Sequence, residues 1–162
     1  MTSPEPDAAP IIARLTARGQ SLATAESLTG GLIGAALTSV PGASAVYLGG
    51  VVAYATPLKA TLAGVPADVL DVHGPVSAQT AGALATGVRD ATGADWAVAA
   101  TGVAGPDPQD GHEPGEVWLG LAGPDGSVRT VRHDFAGDRA TVREATVAAA
   151  LGLLGDALDA AG

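Results

Sequence analysis

The chain contains no cysteine among its 162 residues. Disulfides, thiolate zinc sites and a cysteine nucleophile are therefore excluded. Aromatic residues make up only 3% of the sequence, although 47% of it is hydrophobic. Alanine, valine and leucine must therefore build the core, and a chain of this length buries about 70% of its unfolded surface. We expect a single domain over residues 1–162, with residues 1–9 as a flexible tail.

Positive charge is also scarce, because 8 basic residues face 17 acidic ones and the net charge is -9 at pH 7. Affinity for nucleic acid comes largely from Lys and Arg contacts with phosphates, so this composition argues against a nucleic-acid partner. No apolar run approaches the roughly 18 residues that a membrane span needs. The polar, acidic N-terminus is not typical of a signal peptide. We therefore expect a cytoplasmic protein without a membrane partner.

Lysine occurs once, at Lys59, and the other basic residues are arginines. A lysine can lose its proton inside a protein and act as a base, which arginine cannot do at neutral pH. A single lysine can equally be an ordinary solvated side chain. Composition alone leaves these two interpretations open.

Apolar periodicity predicts helices that alternate with strands, followed by a hairpin and a long final helix. The predicted helices cover 10–18, 32–37, 57–62, 66–72, 77–91 and 137–158, and the predicted strands cover 21–25, 46–55, 95–100, 116–122 and 127–135. This order favours one α/β domain, a three-layer sandwich with a mixed β-sheet flanked by helices.

Two turns rich in small and hydroxyl-bearing residues follow predicted strands, at Glu26–Gly31 and at Thr101–Pro106. In open α/β sheets, ligands bind beyond the carboxyl ends of the strands, so the two turns could share a pocket. The first turn is neither a P-loop nor a dinucleotide-binding fingerprint. It could bind an anion through backbone N–H groups, or it could be purely structural.

Ser44, Tyr54 and Lys59 could provide nucleophilic chemistry, since a desolvated lysine can take the proton of a serine hydroxyl. Their spacing in the sequence alone supports such a nucleophilic site only weakly. Arg139 stands near the start of the last predicted helix, where a guanidinium suits a phosphate. It could equally pair with Asp138 or Glu144.

The three histidines do not have metal-ligand spacing, whether between His73 and His112 or between His112 and His133. A metal site is therefore not expected, and we expect no cofactor.

Several ordered segments together resemble the C-terminal domain family of the competence/damage-inducible protein CinA. The resemblance runs from about residue 13 to residue 158 and rests on Thr24-Ala25-Glu26-Ser27-Leu28-Thr29-Gly30-Gly31, Val40-Pro41-Gly42-Ala43-Ser44, Val52-Ala53-Tyr54 with Lys59, His73-Gly74-Pro75-Val76-Ser77, Thr101-Gly102-Val103-Ala104-Gly105-Pro106, Val117-Trp118 and Gly137-Asp138-Arg139. Such a series of motifs is highly specific.

Stand-alone members of this family are nicotinamide-nucleotide amidases. The resemblance therefore implies hydrolysis of nicotinamide mononucleotide to nicotinate mononucleotide and ammonia, in pyridine-nucleotide recycling, by a homodimer or larger homo-oligomer. It implies Ser44 as the nucleophile, activated by Lys59 and Tyr54, with Ser27 as the alternative nucleophile because it stands on a strand-end turn. The implied substrate-binding residues are Ser27, Thr29, Gly30, Gly31, Thr101 and Arg139.

The sequence departs from the family pattern in places. Leu28 replaces a usual cysteine, and Gly49-Gly50 replaces a common charged pair. In the 107–116 loop, Glu113-Pro114-Gly115-Glu116 stands where members commonly carry Lys-Pro-Val-Gly-Thr. Loss of that lysine could weaken substrate binding, so the alternatives are a catalytically weak nucleotide-binding or regulatory module, or an interaction domain with a vestigial pocket. No activity of the additional N-terminal domain of longer members is expected.

Overall fold

The computed structural model describes residues 6–162. Within them one five-stranded sheet has the strand order β2-β1-β3-β4-β5. The strands are β1 (Leu22–Glu26), β2 (Tyr47–Val52), β3 (Trp96–Gly102), β4 (Glu116–Ala122) and β5 (Val128–Asp134). β1 is parallel to both β2 and β3, whereas β4 is antiparallel to β3 and β5 is antiparallel to β4. The sheet is mixed, as the sequence predicts.

Helices cover both faces of the sheet. They are α1 (Ala9–Arg18), α2 (Leu32–Thr38), α3 (Thr56–Thr61), α4 (Ala67–His73), α5 (Ala78–Thr92) and α6 (Arg139–Ala160), with a short 3-10 helix at Ala43–Ala45. One apolar cluster includes α1, α2 and α6, and the second includes α5 with Ala23 and Ala25 of β1 and Ala97 and Ala99 of β3. β1 is buried along its whole length because both of its faces are covered. The predicted three-layer sandwich is confirmed.

Close packing of α5 against its neighbours explains why small residues suffice for the second cluster. A Cβ added at Gly87 of α5 would overlap the carbonyl oxygen of Ala63, and one added at Gly120 of β4 would overlap that of Ala81. Backbones at this separation leave no room for large side chains. The small residues at these two contacts are therefore required by the close approach of the backbones.

Side-chain caps set the starts of the two longest helices. Ser77 Oγ accepts a hydrogen bond of 3.1 Å from Thr80 N and so caps α5, at the residue where the predicted helix 77–91 begins. Asp138 caps α6 by accepting from Thr141 N at 2.9 Å. The last helix therefore begins at Arg139, two residues later than predicted, since Gly137 has φ +117°.

Further differences from the sequence prediction concern two element ends and one additional short helix. The predicted tail 1–9 lies mostly outside the described residues, but Ala8 is buried and Ala9 begins α1. The second strand ends at Val52, not at residue 55. The 3-10 helix at Ala43–Ala45 was not predicted.

Within residues 6–162, no helix combines the length and apolarity that a membrane crossing requires.

Candidate active site

The carboxyl ends of β1, β2 and β3 meet at one edge of the sheet. Glu26 at the end of β1 pairs with Val52 of β2 and Ala100 of β3. The residues that follow these strands are therefore neighbours: Ser27 N donates to Ala100 O at 3.0 Å, and Ala53 N donates to Glu26 O at 2.9 Å. Two of the sequence's candidate segments thus come together through the strand register.

Lys59 and Ser27 form a direct contact at this edge. Lys59 lies on α3, and its Nζ donates to Ser27 Oγ at 2.9 Å. Nζ also donates to Ala53 O at 2.8 Å and to Tyr54 O at 3.1 Å. Lys59 is only 2% exposed and Ser27 only 6% exposed. The only lysine of the chain is therefore a buried, fully hydrogen-bonded group and not a solvated surface residue.

The surroundings of Lys59 stabilise its protonated form only weakly. Burial lowers the pKa of its ammonium group to about 8. None of the ion pairs found within residues 6–162 includes Lys59. A lysine in this state exchanges its proton near neutral pH, and its neutral form can accept the proton of the Ser27 hydroxyl. Geometry and electrostatics both suit a serine activated by a lysine base.

A cavity of about 380 Å³ lies next to this pair. Ser27 and Lys59 form part of its wall, and the turn Thr101–Pro106 forms another part. Asp107 and Arg139 also line it, so both signs of charge are present. The size is within the usual range for small-molecule sites, roughly 300–1,000 Å³.

Arg139 reaches the cavity from the first turn of α6. Its Nη1 donates to Gly105 O at 2.7 Å, and its Nη2 donates to the hydroxyl of Tyr54 at 3.2 Å. Tyr54 is 60% exposed, and it contacts Lys59 through its main-chain carbonyl. Arg139 is thus attached to the cavity wall, close to a helix N-terminus that favours anions.

Thr101 is another of the predicted site residues that line the cavity. Its side-chain hydroxyl donates to Pro75 O at 2.6 Å. This bond connects the end of β3 to the segment that precedes α5, so Thr101 helps to shape the wall.

The structure does not bring Ser44 to the cavity. Ser44 is exposed on the 3-10 helix that precedes β2, whereas Lys59 follows β2. A strand of six residues separates the two ends by about 20 Å, because each residue advances about 3.3 Å. The serine that contacts Lys59 is Ser27, the alternative nucleophile, and the structure does not bring Ser44 together with Lys59.

Thr29, Gly30 and Gly31 lie next to the cavity but do not line it. Gly30 N donates to Ser27 O at 3.1 Å within the turn. The first N–H groups of α2 are also occupied, because Ile33 N and Gly34 N donate to the carboxylate of Glu26 at 2.8 and 3.1 Å. Of the two interpretations left open for this turn, these bonds favour the structural one, because Glu26 occupies the N–H groups of Ile33 and Gly34.

Sequence reasoning missed both Glu26 and Arg143 as contributors to this region. Arg143 of α6 donates through Nε to Leu28 O at 2.9 Å and through Nη2 to Thr29 O at 3.3 Å. Glu26 had a local signal, since an acidic residue ends a buried strand just before a helix. Arg143 had none, because its partners lie more than a hundred residues away along the chain.

The 107–116 loop contains a polar network of its own. Glu116, which is 8% exposed, pairs with His112 Nδ1 at 2.9 Å and accepts from Trp118 Nε1 at 3.0 Å. Burial raises the pKa of the Glu116 carboxyl, but the hydrogen bonds from His112 and Trp118, together with the charges of His112 and Arg132, lower the pKa below its usual value. Glu116 therefore anchors the loop, while Asp107 and Gln109 face the cavity. Within residues 6–162, no cluster of three or more His, Asp and Glu side chains could hold a metal ion.

Comparison with known proteins identifies the family. The family model of the CinA C-terminal domain matches residues 5–158. The chain belongs to the CinA C-terminal domain family. It is 49% identical over 145 residues to a CinA-like protein of Frankia casuarinae and 50% identical over 145 residues to one of Anaeromyxobacter dehalogenans. These matches cover 89% of the chain but 33% and 35% of those relatives, so the chain spans about a third of their length.

Solved CinA structures have the same fold. The competence/damage-inducible protein CihA of Agrobacterium tumefaciens has a TM-score of 0.90 at 38% identity, with 98% of this chain and 99% of that chain covered. A CinA superfamily protein of Klebsiella pneumoniae has a TM-score of 0.90 at 37% identity, with 94% and 95% covered. The resemblance described from the motifs is confirmed at the level of family and fold.

Proposed function

We propose that this CinA-family chain is a nicotinamide-nucleotide amidase that hydrolyses nicotinamide mononucleotide to nicotinate mononucleotide and ammonia. The observation that carries the proposal is the 2.9 Å contact between Lys59 Nζ and Ser27 Oγ on the wall of the cavity. A buried lysine that pairs with no carboxylate of residues 6–162, beside a serine hydroxyl, is the arrangement that generates a nucleophile. The family resemblance supplies the substrate.

In the first step, Ser27 Oγ attacks the carbonyl carbon of the carboxamide while neutral Lys59 takes the hydroxyl proton. The tetrahedral intermediate then breaks its carbon–nitrogen bond, and the Lys59 ammonium returns the proton to the departing nitrogen. Ammonia leaves, and the nicotinoyl group is held on Ser27 as an ester. Lys59 serves as base and then as acid, and a pKa of about 8 suits both roles near neutral pH.

In the second step, water attacks the ester carbonyl and gives a proton to Lys59. The bond between the carbonyl carbon and Ser27 Oγ breaks, and the proton returns to the serine. The product carboxylic acid ionises, so the net reaction consumes one water and yields a carboxylate and an ammonium ion.

Substrate binding would use the charges of the cavity wall. Arg139 offers a guanidinium for the phosphate, since such contacts are strong and directional. Asp107 lies on the same wall and would offset the positive charge of the pyridinium ring. The cavity of about 380 Å³ accommodates a mononucleotide-sized ligand.

The test is ammonia release from nicotinamide mononucleotide by the purified protein, with nicotinate mononucleotide measured by chromatography. One equivalent of each product per substrate consumed is the expected result. Thermal stabilisation by the mononucleotide without turnover would favour the binding or regulatory module instead. No response of either kind would overturn the proposal.

A homo-oligomer in the cytoplasm is part of the proposal. β2 is an edge strand, and its side chains Leu48 and Val52 are 53% and 46% exposed. Apolar side chains on a free sheet edge favour association. Light scattering should give a molar mass that is a multiple of 15.7 kDa, and Leu48→Lys should lower that mass. A wild-type chain that stays monomeric at micromolar concentration would contradict this part.

A further inference from the structure

The turn that carries Ser27 is held from two sides by charged side chains. We define the Ser27 turn as residues 27–31, between the end of β1 and the start of α2. One side chain, Glu26, comes from the strand before it, and the other, Arg143, comes from α6. Neither lines the cavity. The proposed chemistry uses neither of them.

Glu26 fixes the far end of the turn to the sheet. Its Oε1 accepts from Ile33 N at 2.8 Å and its Oε2 accepts from Gly34 N at 3.1 Å. The side chain is only 3% exposed, so these charge-assisted bonds replace the water that an ionised carboxylate would otherwise hold. A Cβ at Gly34 would lie 3.5 Å from Glu26 Oε2 and 2.8 Å from the hydroxyl of Tyr47. The glycine gives the carboxylate and the tyrosine room beside the helix.

Arg143 fixes the middle of the turn to α6. Its Nε and Nη2 donate to the consecutive carbonyls of Leu28 and Thr29. Gly30 follows with φ +57°, and a Cβ there would lie 3.4 Å from Arg143 Nη2. A planar guanidinium can donate in two directions at once, which a lysine ammonium cannot do with the same fixed geometry. The arginine therefore fixes the direction of two peptide groups just after Ser27.

We propose that Glu26 and Arg143 are positioning residues that hold Ser27 Oγ at hydrogen-bond distance from Lys59. The inference rests on the proposed function, because it concerns the same nucleophile. Lys59 is anchored separately, through the carbonyls of Ala53 and Tyr54. We call Glu26 and Arg143 together the clamp. Loss of the clamp frees Ser27 to move, while Lys59 stays in place.

The separate anchoring predicts which kinetic constant changes. Arg139, the proposed phosphate contact, is held by Gly105 and Tyr54 and not by the Ser27 turn. Substrate binding should therefore survive when the clamp is cut. A displacement of about 1 Å at a reacting atom costs up to roughly 100-fold in rate. We expect kcat to fall and KM to stay within about threefold.

The first experiment compares Arg143→Ala with Arg14→Ala. Arg14 is a matched control, since its guanidinium likewise donates to a backbone carbonyl, that of Gly155, and it pairs with Asp159, outside the cavity lining. We expect roughly 10- to 100-fold lower kcat for Arg143→Ala, little change for Arg14→Ala, and partial recovery of Arg143→Ala by added guanidinium ion. Equal kcat in the two folded variants, or a loss that guanidinium leaves unchanged, would overturn the role of Arg143.

The second experiment compares Glu26→Gln with Glu144→Gln. The amide of Glu26→Gln keeps one acceptor oxygen and replaces the other with a donor that faces a backbone N–H. We expect roughly 10-fold lower kcat with KM retained, whereas the exposed Glu144 should tolerate the change. Unchanged kcat in a folded Glu26→Gln protein would overturn the role of Glu26.

A substrate-independent readout separates this inference from the proposed function. A fluorophosphonate probe reacts with an activated serine whatever amide the enzyme cuts, and peptide mapping identifies the labelled residue. Labelling of wild-type Ser27 with slower labelling of both clamp variants supports the inference even if nicotinamide mononucleotide is not hydrolysed. Equal labelling rates in wild type, Arg143→Ala and Glu26→Gln would overturn it even if the amidase activity is found.

Discussion

Lys59 Nζ and Ser27 Oγ lie 2.9 Å apart, in a contact that joins α3 to the end of β1. The two residues are far apart in the sequence. Parallel strands bring them together, because the segments after β1 and β2 leave the sheet at the same edge. The pair is buried beside a cavity, and it supplies the proposed nucleophile and base.

The amidase activity should rise with pH. The reaction needs the neutral form of Lys59, whose pKa is lowered to about 8, so kcat/KM should increase through an apparent pKa near that value. Lys59→Arg keeps a cation but removes the base, and we expect at least a 100-fold loss, in the range of general-base catalysis. Initial rates of ammonia release between pH 6 and pH 9.5 give the profile. A flat profile, or near-wild-type turnover of Lys59→Arg, would rule out lysine as the base.

Stability should depend on pH through the same lysine. The pKa of Lys59 is about 8 in the folded protein and 10.5 for an ordinary lysine, so between these values the unfolded chain binds the proton and the folded chain does not. The free energy of unfolding contributed by Lys59 therefore rises as pH increases from about 8 towards 10. Urea unfolding of wild type and Lys59→Met at pH 7.5 and 9.5 measures it. The difference between the two proteins should shift in favour of wild type at the higher pH, and a constant difference would contradict the shift.

Arg139→Ala should weaken binding of the phosphate specifically. Hydrogen bonds to charged groups contribute about 1.5–3 kcal/mol, so we expect KM for nicotinamide mononucleotide to rise roughly 10- to 100-fold. Nicotinamide riboside, which has no phosphate, should show the same KM with wild type and variant. Arg129→Ala, an exposed arginine of β5, is the control. An equal rise in KM for both substrates would mean that Arg139 shapes the wall without meeting the phosphate.

Two helical glycines should respond oppositely to alanine. A Cβ at Gly87 of α5 would overlap the carbonyl of Ala63, whereas one at Gly152 of α6 meets open space. Gly152→Ala should raise the free energy of unfolding by about 0.5–1 kcal/mol, since alanine favours the helix. Gly87→Ala should lower it by about 1–3 kcal/mol through overpacking. Chemical denaturation checks both, and a stable Gly87→Ala protein would show that α5 is not held as closely as described.

The sequence predicted the layers well because their signals are local. Ser77 caps α5 where the predicted helix 77–91 begins, and the alternation of β-strands with helices predicted the mixed sandwich. The candidate active site was harder to predict from the sequence, because it depends on which residues meet across the sheet. Ser44 precedes β2 and Ser27 follows β1. Because these two strands are parallel, the two serines lie at opposite ends of the sheet. Arg143 contacts Leu28 from 115 residues away, and no local pattern carries such a contact.

Ammonia release from nicotinamide mononucleotide by wild type, Ser27→Ala and Ser44→Ala, measured side by side with circular dichroism to check folding, tests the central claim most directly. Ser44 is the matched control, because it is an exposed serine at the opposite end of β2. We predict that Ser44→Ala retains wild-type turnover and that Ser27→Ala loses it by at least roughly 1,000-fold, as expected for a missing nucleophile. Retained turnover in a folded Ser27→Ala protein, or its loss in Ser44→Ala, would contradict the account.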